Sequence, residues 1–432
     1  MILGFKKLTK KESLSLLVIS GTFFIGYIIR MLSGNFRLTD SDEYLYTAEI
    51  IKNGEFFCRD LNFEAAFLKT RRPFFYPLFL ASFGSFNLAV TLFIQTLAGI
   101  FNAYVLLQLY KKLGGKMAGH FTFFFIMSFS VFVYTQLIMS EWLALLLMTL
   151  ISMLLTSDFS KSRFFWIQII TVLLAFTKPV FFPIIYLNLF YFSVYFFRKK
   201  SFSFSLFIPV VALFLYLGFN GYRTGYTHFS SIENTNLTDY NLYYYKSSTE
   251  SKQIADQWVH DIYKESQKYP DFKSRSEFVK SKASEEIRTH FTSYSWYHFH
   301  TAVRGIFDPG RFDLMTFFKK EDGRQGFLEI FNTKKSIKNL MNNTYFYVYL
   351  LLIPIFIVLL AKLFLAAVLV WKNRSKASFL NFYLLLVVVS YVLITGPVNS
   401  SRLMVPLQGI FIVLGALGVQ KMKESKKTES RN

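Results

Sequence analysis

Long apolar stretches separated by short polar loops make up the first half and the last quarter of the chain. Stretches of this length with almost no charged residues are typical of helices that cross a membrane. By this criterion we predict about ten of them and therefore an all-α polytopic membrane protein. They lie at 14–32, 74–110 (a short helix and then a span), 117–134, 139–156, 163–177, 180–197, 203–219, 345–370, 378–395 and 403–420.

The apolar stretches divide the chain into three parts. Residues 1–219 form an N-terminal transmembrane module, which includes a charged outer loop at 33–72. Residues 345–432 add C-terminal transmembrane helices and a polar tail. Between them, 220–344 is one polar insertion of domain-like length. Start and stop signals within it predict helices near 250–269 and 275–292, so we expect the insertion to be mainly helical.

The distribution of charge orients these parts. The chain is 53% hydrophobic and 19% aromatic, yet its net charge is +21. Most of the excess lysines and arginines flank the spans on the side of both termini, whereas acids nearly balance bases in the insertion. The positive-inside rule then predicts cytoplasmic termini, with the outer loop and the insertion extracytoplasmic. It also explains the charge without a nucleic-acid partner, and we expect an integral protein of a bacterial inner or plasma membrane.

The outer loop begins with an acidic cluster of Asp40, Asp42 and Glu43. Apolar residues then recur at helical spacing as far as Asn53-Gly54, which predicts a short amphipathic helix in the interface plane. Thr39 or Ser41 suits the cap of this helix, which places Asp42 and Glu43 in its first turn. Acids at a helix start are also common without any catalytic role, so the pattern alone leaves their function open.

The same loop ends with Arg71-Arg72-Pro73 and, soon after, Tyr76. Proline fits the first position of a helix, and two guanidinium groups beside a helix start suit a phosphate. The alternative is simple anchoring to lipid headgroups, although arginines on the outer side run against the positive-inside rule.

Further charged residues fall at the same predicted outer boundary. Lys178 interrupts an apolar run before Pro179, Arg402 precedes the last span, and Glu141 begins the fourth. Each of them taken singly is typical of an interfacial anchor. Carboxylates and cations that all lie on one side of the membrane nevertheless predict a common site. The single cysteine, Cys58, excludes an internal disulfide and a thiolate metal cluster.

These motifs, in this order, resemble those of the C-type membrane glycosyltransferases, in particular the branch of bacterial protein O-mannosyltransferases and lipid A aminoarabinose transferases. The resemblance covers 1–219 and 345–420, and its motifs are listed here: Asp42-Glu43 with Tyr46 and Ala48, Arg72-Pro73, Tyr76-Pro77, Thr177-Lys178-Pro179, and Arg402 with Pro406. It implies a polyprenyl-phosphate sugar donor, an extracytoplasmic active site and inversion at the anomeric carbon. The acceptor, whether glycan, lipid or protein, is not implied.

The resemblance also implies roles for individual residues. Arg72, Lys178 and Arg402 would neutralise the departing phosphate, and Arg71 and Tyr76 would complete the donor site. Asp42 falls at the position of the family's loop acid and would accept the proton of the acceptor. Asp40, Glu43 or Glu141 would assist it. A divalent cation stays an open possibility, with Asp40, Asp42 and Glu141 as its ligands.

Two other classes of protein share this membrane plan. An O-antigen polymerase or ligase also uses lipid-linked glycans, but its large outer loop usually carries arginines late in the chain. A lipid-linked sugar transporter without catalysis predicts ionisable residues in mid-span, of which Lys362 is the clearest example here.

Overall fold

The computed structural model describes residues 5–34, 36–83, 87–156, 160–317, 346–373 and 379–429, and within these ranges it contains helices and no strand. The all-α prediction is confirmed for that part of the chain. The helices of the N-terminal module are α1 Lys10–Ser33, α2 Thr39–Lys52, α3 Phe63–Lys69, α4 Phe75–Phe83, α5 Leu88–Lys112, α6 Ala118–Ile126, α7 Phe129–Thr135, α8 Glu141–Leu155, α9 Lys161–Thr177, α10 Ile184–Arg198 and α11 Ile208–Thr224.

The insertion and the C-terminal part are helical as well. Asn236–Leu242 is a π-helix, a rare form with wider turns. The α-helices are α12 Ile232–Thr235, α13 Tyr243–Thr249, α14 Lys252–Ser266, α15 Phe272–Thr289, α16 Phe291–Ile306, α17 Arg311–Phe317, α18 Phe346–Lys372, α19 Phe379–Thr395 and α20 Ser401–Glu429. The helices predicted near 250–269 and 275–292 correspond to α14 and α15. The end of the predicted insertion, 318–344, lies outside the described residues.

Among the described residues, six helical segments are long and apolar enough to cross a membrane: α1, α5, α10 with the 3₁₀ turn before it (Pro179–Arg198), α11 with the 3₁₀ turn before it (Phe204–Thr224), α18 and α20. A seventh candidate is the pair α6 and α7, which is bent by 62° at its break. The apolar stretches predicted at 139–156, 163–177 and 378–395 form the shorter helices α8, α9 and α19. Every predicted stretch thus contains helix, and the chain is a helical membrane protein, whereas ten crossings stay a prediction.

Helix α20 occupies the centre of the membrane part. Of its most apolar segment, 78% is buried, compared with 28% for α1, α11 and α18. It packs against α8, α18 and both halves of the bent pair. Because helices within a membrane are held together mainly by close van der Waals packing, residues at the start of α20 are held in place by the best-packed part of the molecule.

The two ends of this helical bundle differ in chemistry. At one end, Lys111 pairs with Glu12 at 2.8 Å. The side-chain oxygen of Gln420, on α20, accepts hydrogen bonds from Tyr110 and Lys116 and so joins α20 to the α5–α6 connection. This is the end where the predicted cytoplasmic lysines collect. At the opposite end, the α2 start, the α8 start and the α20 start meet, and the insertion packs over them. His298 of α16 donates to the backbone oxygen of Leu393, 2.7 Å away, which fixes the insertion to the end of α19.

Candidate active site

Helix α2 brings two of the three outer-loop acids onto its buried face. It starts at Thr39, one turn earlier than a helix capped by Ser41 would start. The Leu38 N–H donates to the Ser41 hydroxyl, 2.8 Å away, which stabilises this earlier start. Residues three apart on a helix share a face, whereas residues two apart point about 200° away from each other. Asp40 and Glu43 therefore face the protein, and Asp42 faces outward.

The expectation that Asp42 meets the distant cations is wrong. Its carboxylate pairs with Arg37 over 3.3 Å, and the side chains are 67% and 54% exposed. It takes no part in the cluster described below. The physical reason is the helical register, since turning Asp40 inward turns Asp42 away from the bundle.

Asp40 lies between two guanidinium groups from distant parts of the chain. Its Oδ2 accepts a hydrogen bond from Nη2 of Arg402, at the start of α20. The same oxygen lies 3.1 Å from Nη2 of Arg72. Burial alone would raise the pKa of Asp40, but the positive charges of Arg402 and Arg72 outweigh it and hold this pKa well below its usual range. The Asp40 carboxylate is thus ionised at any physiological pH.

Glu141, the first residue of α8, is the most deeply buried acid of the group. Its side chain is fully inaccessible, and its Oε1 lies 2.6 Å from both Nζ of Lys178 and Nε of Arg402. Lys178 is positioned there because the proline after it ends α9 at Thr177. The second oxygen of Glu141, Oε2, is buried and accepts no hydrogen bond from the residues that the structure describes. Because the whole side chain is inaccessible, this oxygen lies out of reach of a ligand in the accessible part of the site.

Glu43 binds the basic end of the outer loop. Its two oxygens lie 2.6 Å from Nε of Arg71 and 2.6 Å from Nε of Arg72. One carboxylate thus holds two consecutive guanidinium groups in fixed orientations. The helix predicted to start at Pro73 begins instead at Phe75, so the arginines lie in the loop ahead of α4 rather than at its first turn.

These residues form one group, which we call the charged cluster: Asp40, Glu43, Arg71, Arg72, Glu141, Lys178 and Arg402. Three acids and four bases give it a net charge of about +1, the balance that attracts an anion. Its accessible part consists of Asp40, Glu43, Arg71 and Arg402, whose side chains are 17–22% exposed. Arg72 and Lys178 lie behind them, at 5% and 7%.

Aromatic residues form the floor beneath the charged cluster. The Arg72 guanidinium lies over the Tyr44 ring, 4.9 Å from the centre of that ring. The Tyr44 hydroxyl shares a hydrogen bond with the Ser140 hydroxyl. Tyr76, expected to bind the donor, is fully buried and donates to the Gln95 side chain at 2.9 Å. The structure therefore places Tyr76 in the packing that supports the cluster, beneath Tyr44. Sequence reasoning missed Tyr44, although its spacing four residues after Asp40 puts it on the same face.

Two acids of the insertion that sequence reasoning also missed lie beside the cluster. Asp308 accepts from the backbone N–H of Ser401 at 3.0 Å and so stabilises the first turn of α20, next to Arg402. Asp313 is fully buried and accepts from the hydroxyls of Tyr134, at 2.6 Å, and Ser130. Asp308 thus anchors the insertion to α20, which carries Arg402, and Asp313 anchors it to α7.

The acids of the charged cluster do not form a metal site. Among the described residues, no group of three or more His, Cys, Asp and Glu side chains is arranged to hold a metal ion. Each of the three clustered acids is already bound by two cationic side chains. Asp42, the third proposed ligand beside Asp40 and Glu141, faces away. The arrangement thus suits an anion better than a divalent cation.

The residues expected to form the site from sequence are therefore assembled at one end of the bundle, with Asp42 and Tyr76 as the exceptions. No family model matches the chain, and no curated protein matches it either.

Proposed function

We propose that the chain is a membrane glycosyltransferase that moves a sugar from a polyprenyl-phosphate donor to an extracytoplasmic acceptor. The observation that carries the proposal is the charged cluster itself. Four cations from three separate segments surround three acids at one end of a bundle of membrane helices. Bringing so many charges out of water is costly unless they are matched and used. An excess of positive charge beside an ionised carboxylate suits a lipid-linked phosphate next to a hydroxyl nucleophile.

The donor phosphate binds first to the accessible cations, Arg402 and Arg71, with Arg72 and Lys178 adding charge from behind. As the bond between the anomeric carbon and the phosphate oxygen breaks, negative charge grows on the departing phosphate, and these fixed cations stabilise it. The prenyl chain lies among the membrane helices. Fixed charges in a water-poor site act without the reorganisation that water would need.

The acceptor hydroxyl attacks the anomeric carbon from the face opposite the phosphate, which inverts that centre. Asp40 accepts the hydrogen bond of the attacking hydroxyl and takes its proton as the new bond forms. Because the pKa of Asp40 is low, it does not retain the proton, which passes to water, and the polyprenyl phosphate departs as an anion stabilised by the cations of the charged cluster.

The donor site is tested by Arg72→Ala, with Arg59→Ala as control, since Arg59 is an exposed arginine of the same loop. Both proteins are purified in nanodiscs, and their affinity for undecaprenyl phosphate and their thermal unfolding are measured. We expect Arg72→Ala to lose about tenfold or more in affinity, as for one charge-assisted hydrogen bond, and Arg59→Ala to lose none. Unchanged affinity in Arg72→Ala would reduce this residue to a structural partner of Asp40 and Glu43.

A carrier of lipid-linked sugars is the second candidate, and Lys362 favours it. This lysine is buried inside α18, where its ammonium donates to Ser128 at 2.8 Å and Gln408 at 2.5 Å. Ionisable groups in the interior of membrane helices are typical of transport pathways. For a carrier, Lys362→Met abolishes movement of a labelled polyprenyl phosphate across liposomes. For a transferase, no such movement occurs in either protein, and sugar transfer depends on the charged cluster.

A further inference from the structure

Helix α16 of the insertion carries an exposed apolar stripe. Consecutive residues of an α-helix turn by about 100°, so positions three, four and seven apart share a face. Trp296, Phe299 and Val303 follow this spacing, and we call them the α16 stripe. Trp296 is 67% exposed, Phe299 is 49% exposed, and Val303 is partly exposed. Apolar side chains grouped on one exposed face mark a surface that contacts another protein or a membrane.

The opposite face of α16 is fixed to the end of the bundle that carries the charged cluster. His298 donates to the backbone oxygen of Leu393 in α19 at 2.7 Å. The Asn399 amide donates to the backbone oxygen of Ala302 at 2.6 Å, and Ala302 belongs to the continuous apolar core of the membrane helices. Gly305 lies so close to Asn399 that a Cβ on this glycine would collide with it. Helix α16 is therefore held firmly at the level where α19 ends.

Exposed apolar residues of α19 lead up to this contact. They recur at helical spacing and are 39–50% exposed: Phe382, Leu385, Val389 and Leu393. An exposed apolar row on a helix of the membrane part faces the lipid chains. The row ends at Leu393, the residue whose backbone oxygen accepts from α16. Helix α16 thus meets the bundle where the lipid-facing surface ends, which is the depth at which acyl chains give way to headgroups.

Polar residues lie along one edge of the α16 stripe. Ser293, His300 and Arg304 are exposed and share a face about 90° around the helix from the stripe. An apolar face beside a polar edge with basic residues is typical of helices that lie in the plane of a membrane interface, where tryptophan is also enriched. The neighbouring helix α15 differs, since all of its exposed residues are polar. Water therefore suits the surface of α15, and lipid suits the stripe of α16.

We infer that α16 is an interfacial helix, whose stripe inserts into the bilayer leaflet on the side of the charged cluster. The stripe contacts the upper part of the acyl chains, while His300 and Arg304 reach the headgroup phosphates. A second protein is a poorer partner, because α16 adjoins a surface of α19 that itself faces lipid. The inference goes beyond the proposed function and does not depend on it, since it holds for a transferase and for a carrier alike.

The same helix sets the depth of the charged cluster. Its buried face contacts the turn Gly396–Val398, which lies shortly before Arg402 in the chain. Because α16 lies among the headgroups, Arg402 lies near that depth as well, where the phosphate groups of lipids are found.

The experiment measures the depth of α16 by spin labelling the full chain in nanodiscs of phosphatidylethanolamine and phosphatidylglycerol. The single cysteine is removed by Cys58→Ser. One cysteine is then introduced per variant, in the stripe (Trp296→Cys, Phe299→Cys, Val303→Cys) or at the polar edge (Ser293→Cys, His300→Cys, Arg304→Cys). The references are Val389→Cys on the lipid-facing row of α19 and Ser281→Cys on the exposed polar face of α15. For each nitroxide, collision with oxygen, which concentrates in lipid, is compared with collision with a water-soluble nickel chelate.

We expect the three stripe labels to show the high oxygen-to-nickel ratio of the Val389→Cys reference. The polar-edge labels should show the low ratio of the Ser281→Cys reference. The ratio then rises and falls with the helical period along α16. As a second measurement, the unmodified chain is reconstituted with a phospholipid that carries a photoreactive diazirine on its upper acyl chain. Mass spectrometry should locate crosslinks on both α16 and α19, and none on α15.

Two results of spin labelling overturn the inference. If the stripe labels are as accessible to the nickel chelate as the Ser281→Cys label, the stripe faces water. If they are shielded from both oxygen and nickel, the stripe is covered by protein, either a second copy of the chain or another partner. Where the stripe variants fail to fold, as judged by thermal unfolding against Cys58→Ser, the photoreactive lipid decides. Crosslinks on α19 without any on α16 then overturn the inference.

Discussion

Replacing Asp40 by asparagine separates the roles of the clustered groups more sharply than any other single change. The substitution keeps the size of the side chain and removes one negative charge. Arg402 retains Glu141, and Arg72 retains Glu43, each at 2.6 Å, so no guanidinium is left without a carboxylate. The loss of stability is therefore modest, about 1–3 kcal/mol, rather than the larger cost of an uncompensated buried charge.

The effects on binding and on chemistry then have opposite signs. Asp40→Asn raises the net charge of the cluster from about +1 to about +2, so the affinity for undecaprenyl phosphate is unchanged or higher. Sugar transfer falls by about 10²–10⁴, because the group that takes the proton of the acceptor is lost. Asp42→Asn is the matched control, since Asp42 pairs with Arg37 on the exposed surface, and we expect its transfer activity to be unchanged.

Activity is followed in a host that lacks the chain and is complemented with each variant at equal protein level, by mass spectrometry of its surface glycans. Undecaprenyl phosphate affinity and thermal unfolding are measured on the purified proteins. If Asp42→Asn abolishes transfer while Asp40→Asn restores it, the assignment made from the α2 register is refuted. If Asp40→Asn loses donor affinity and transfer together, its role is to hold the arginines in place.

The remaining predictions concern buried charge, pH and metal. Lys178→Met leaves Glu141 with Arg402 alone and should lower the free energy of unfolding by about 1–3 kcal/mol. Adding Glu141→Gln should recover part of this loss in a double-mutant cycle measured by thermal unfolding. The acid limb of kcat should lie at higher pH than that of kcat/KM. In the free enzyme Arg402 and Arg72 overcome the effect of burial and hold the pKa of Asp40 low. A bound phosphate shares their charge and so raises the pKa of Asp40 in the complex. Acid limbs at the same pH would contradict this. Removal of divalent metal ions with a chelator should leave the transfer rate within about twofold, because the acids of the cluster are already bound by cationic side chains. A rate that is lost and restored only by added metal would show that a metal ion belongs there.

The apolar pattern predicted the helices of the membrane part well, since long uncharged stretches have few alternatives to helix in a bilayer. It predicted less about their lengths. Helix α8 has 15 residues and begins at Glu141, two residues after the predicted start, whereas α9 ends at Thr177, as predicted, because Pro179 follows. The contacts of Glu141 with Lys178 and Arg402, which hold the start of α8 in the charged cluster, have no local signal in the sequence.

The site was predictable as a set of residues but not as an arrangement. Arg402 and Glu141 are 261 positions apart, and their contact follows from the packing of α20 against α8. The choice between Asp40 and Asp42 depended on the first residue of α2. The position of the helix start decides which acid faces inward. Helix boundaries are the least reliable part of a sequence-based prediction.

The contribution of the insertion was the hardest part to predict. Its helices α14 and α15 follow ordinary capping signals, with Asp271 accepting from Ser274 at the start of α15. The π-helix at Asn236–Leu242 and the contact of Asp308 with α20 have no such local signal, because each depends on where the insertion meets the membrane part.

The central claim is that the charged cluster transfers a sugar from a polyprenyl phosphate, and it is tested most directly by analysing a host that lacks this chain. Mass spectrometry is applied both to its surface glycans and to its lipid-linked sugars. The account predicts that one sugar disappears from one class of glycoconjugate while its polyprenyl-phosphate form accumulates, and that the wild-type chain, but not Asp40→Asn, reverses both changes. Unaltered glycans and an unaltered pool of lipid-linked sugars would contradict it.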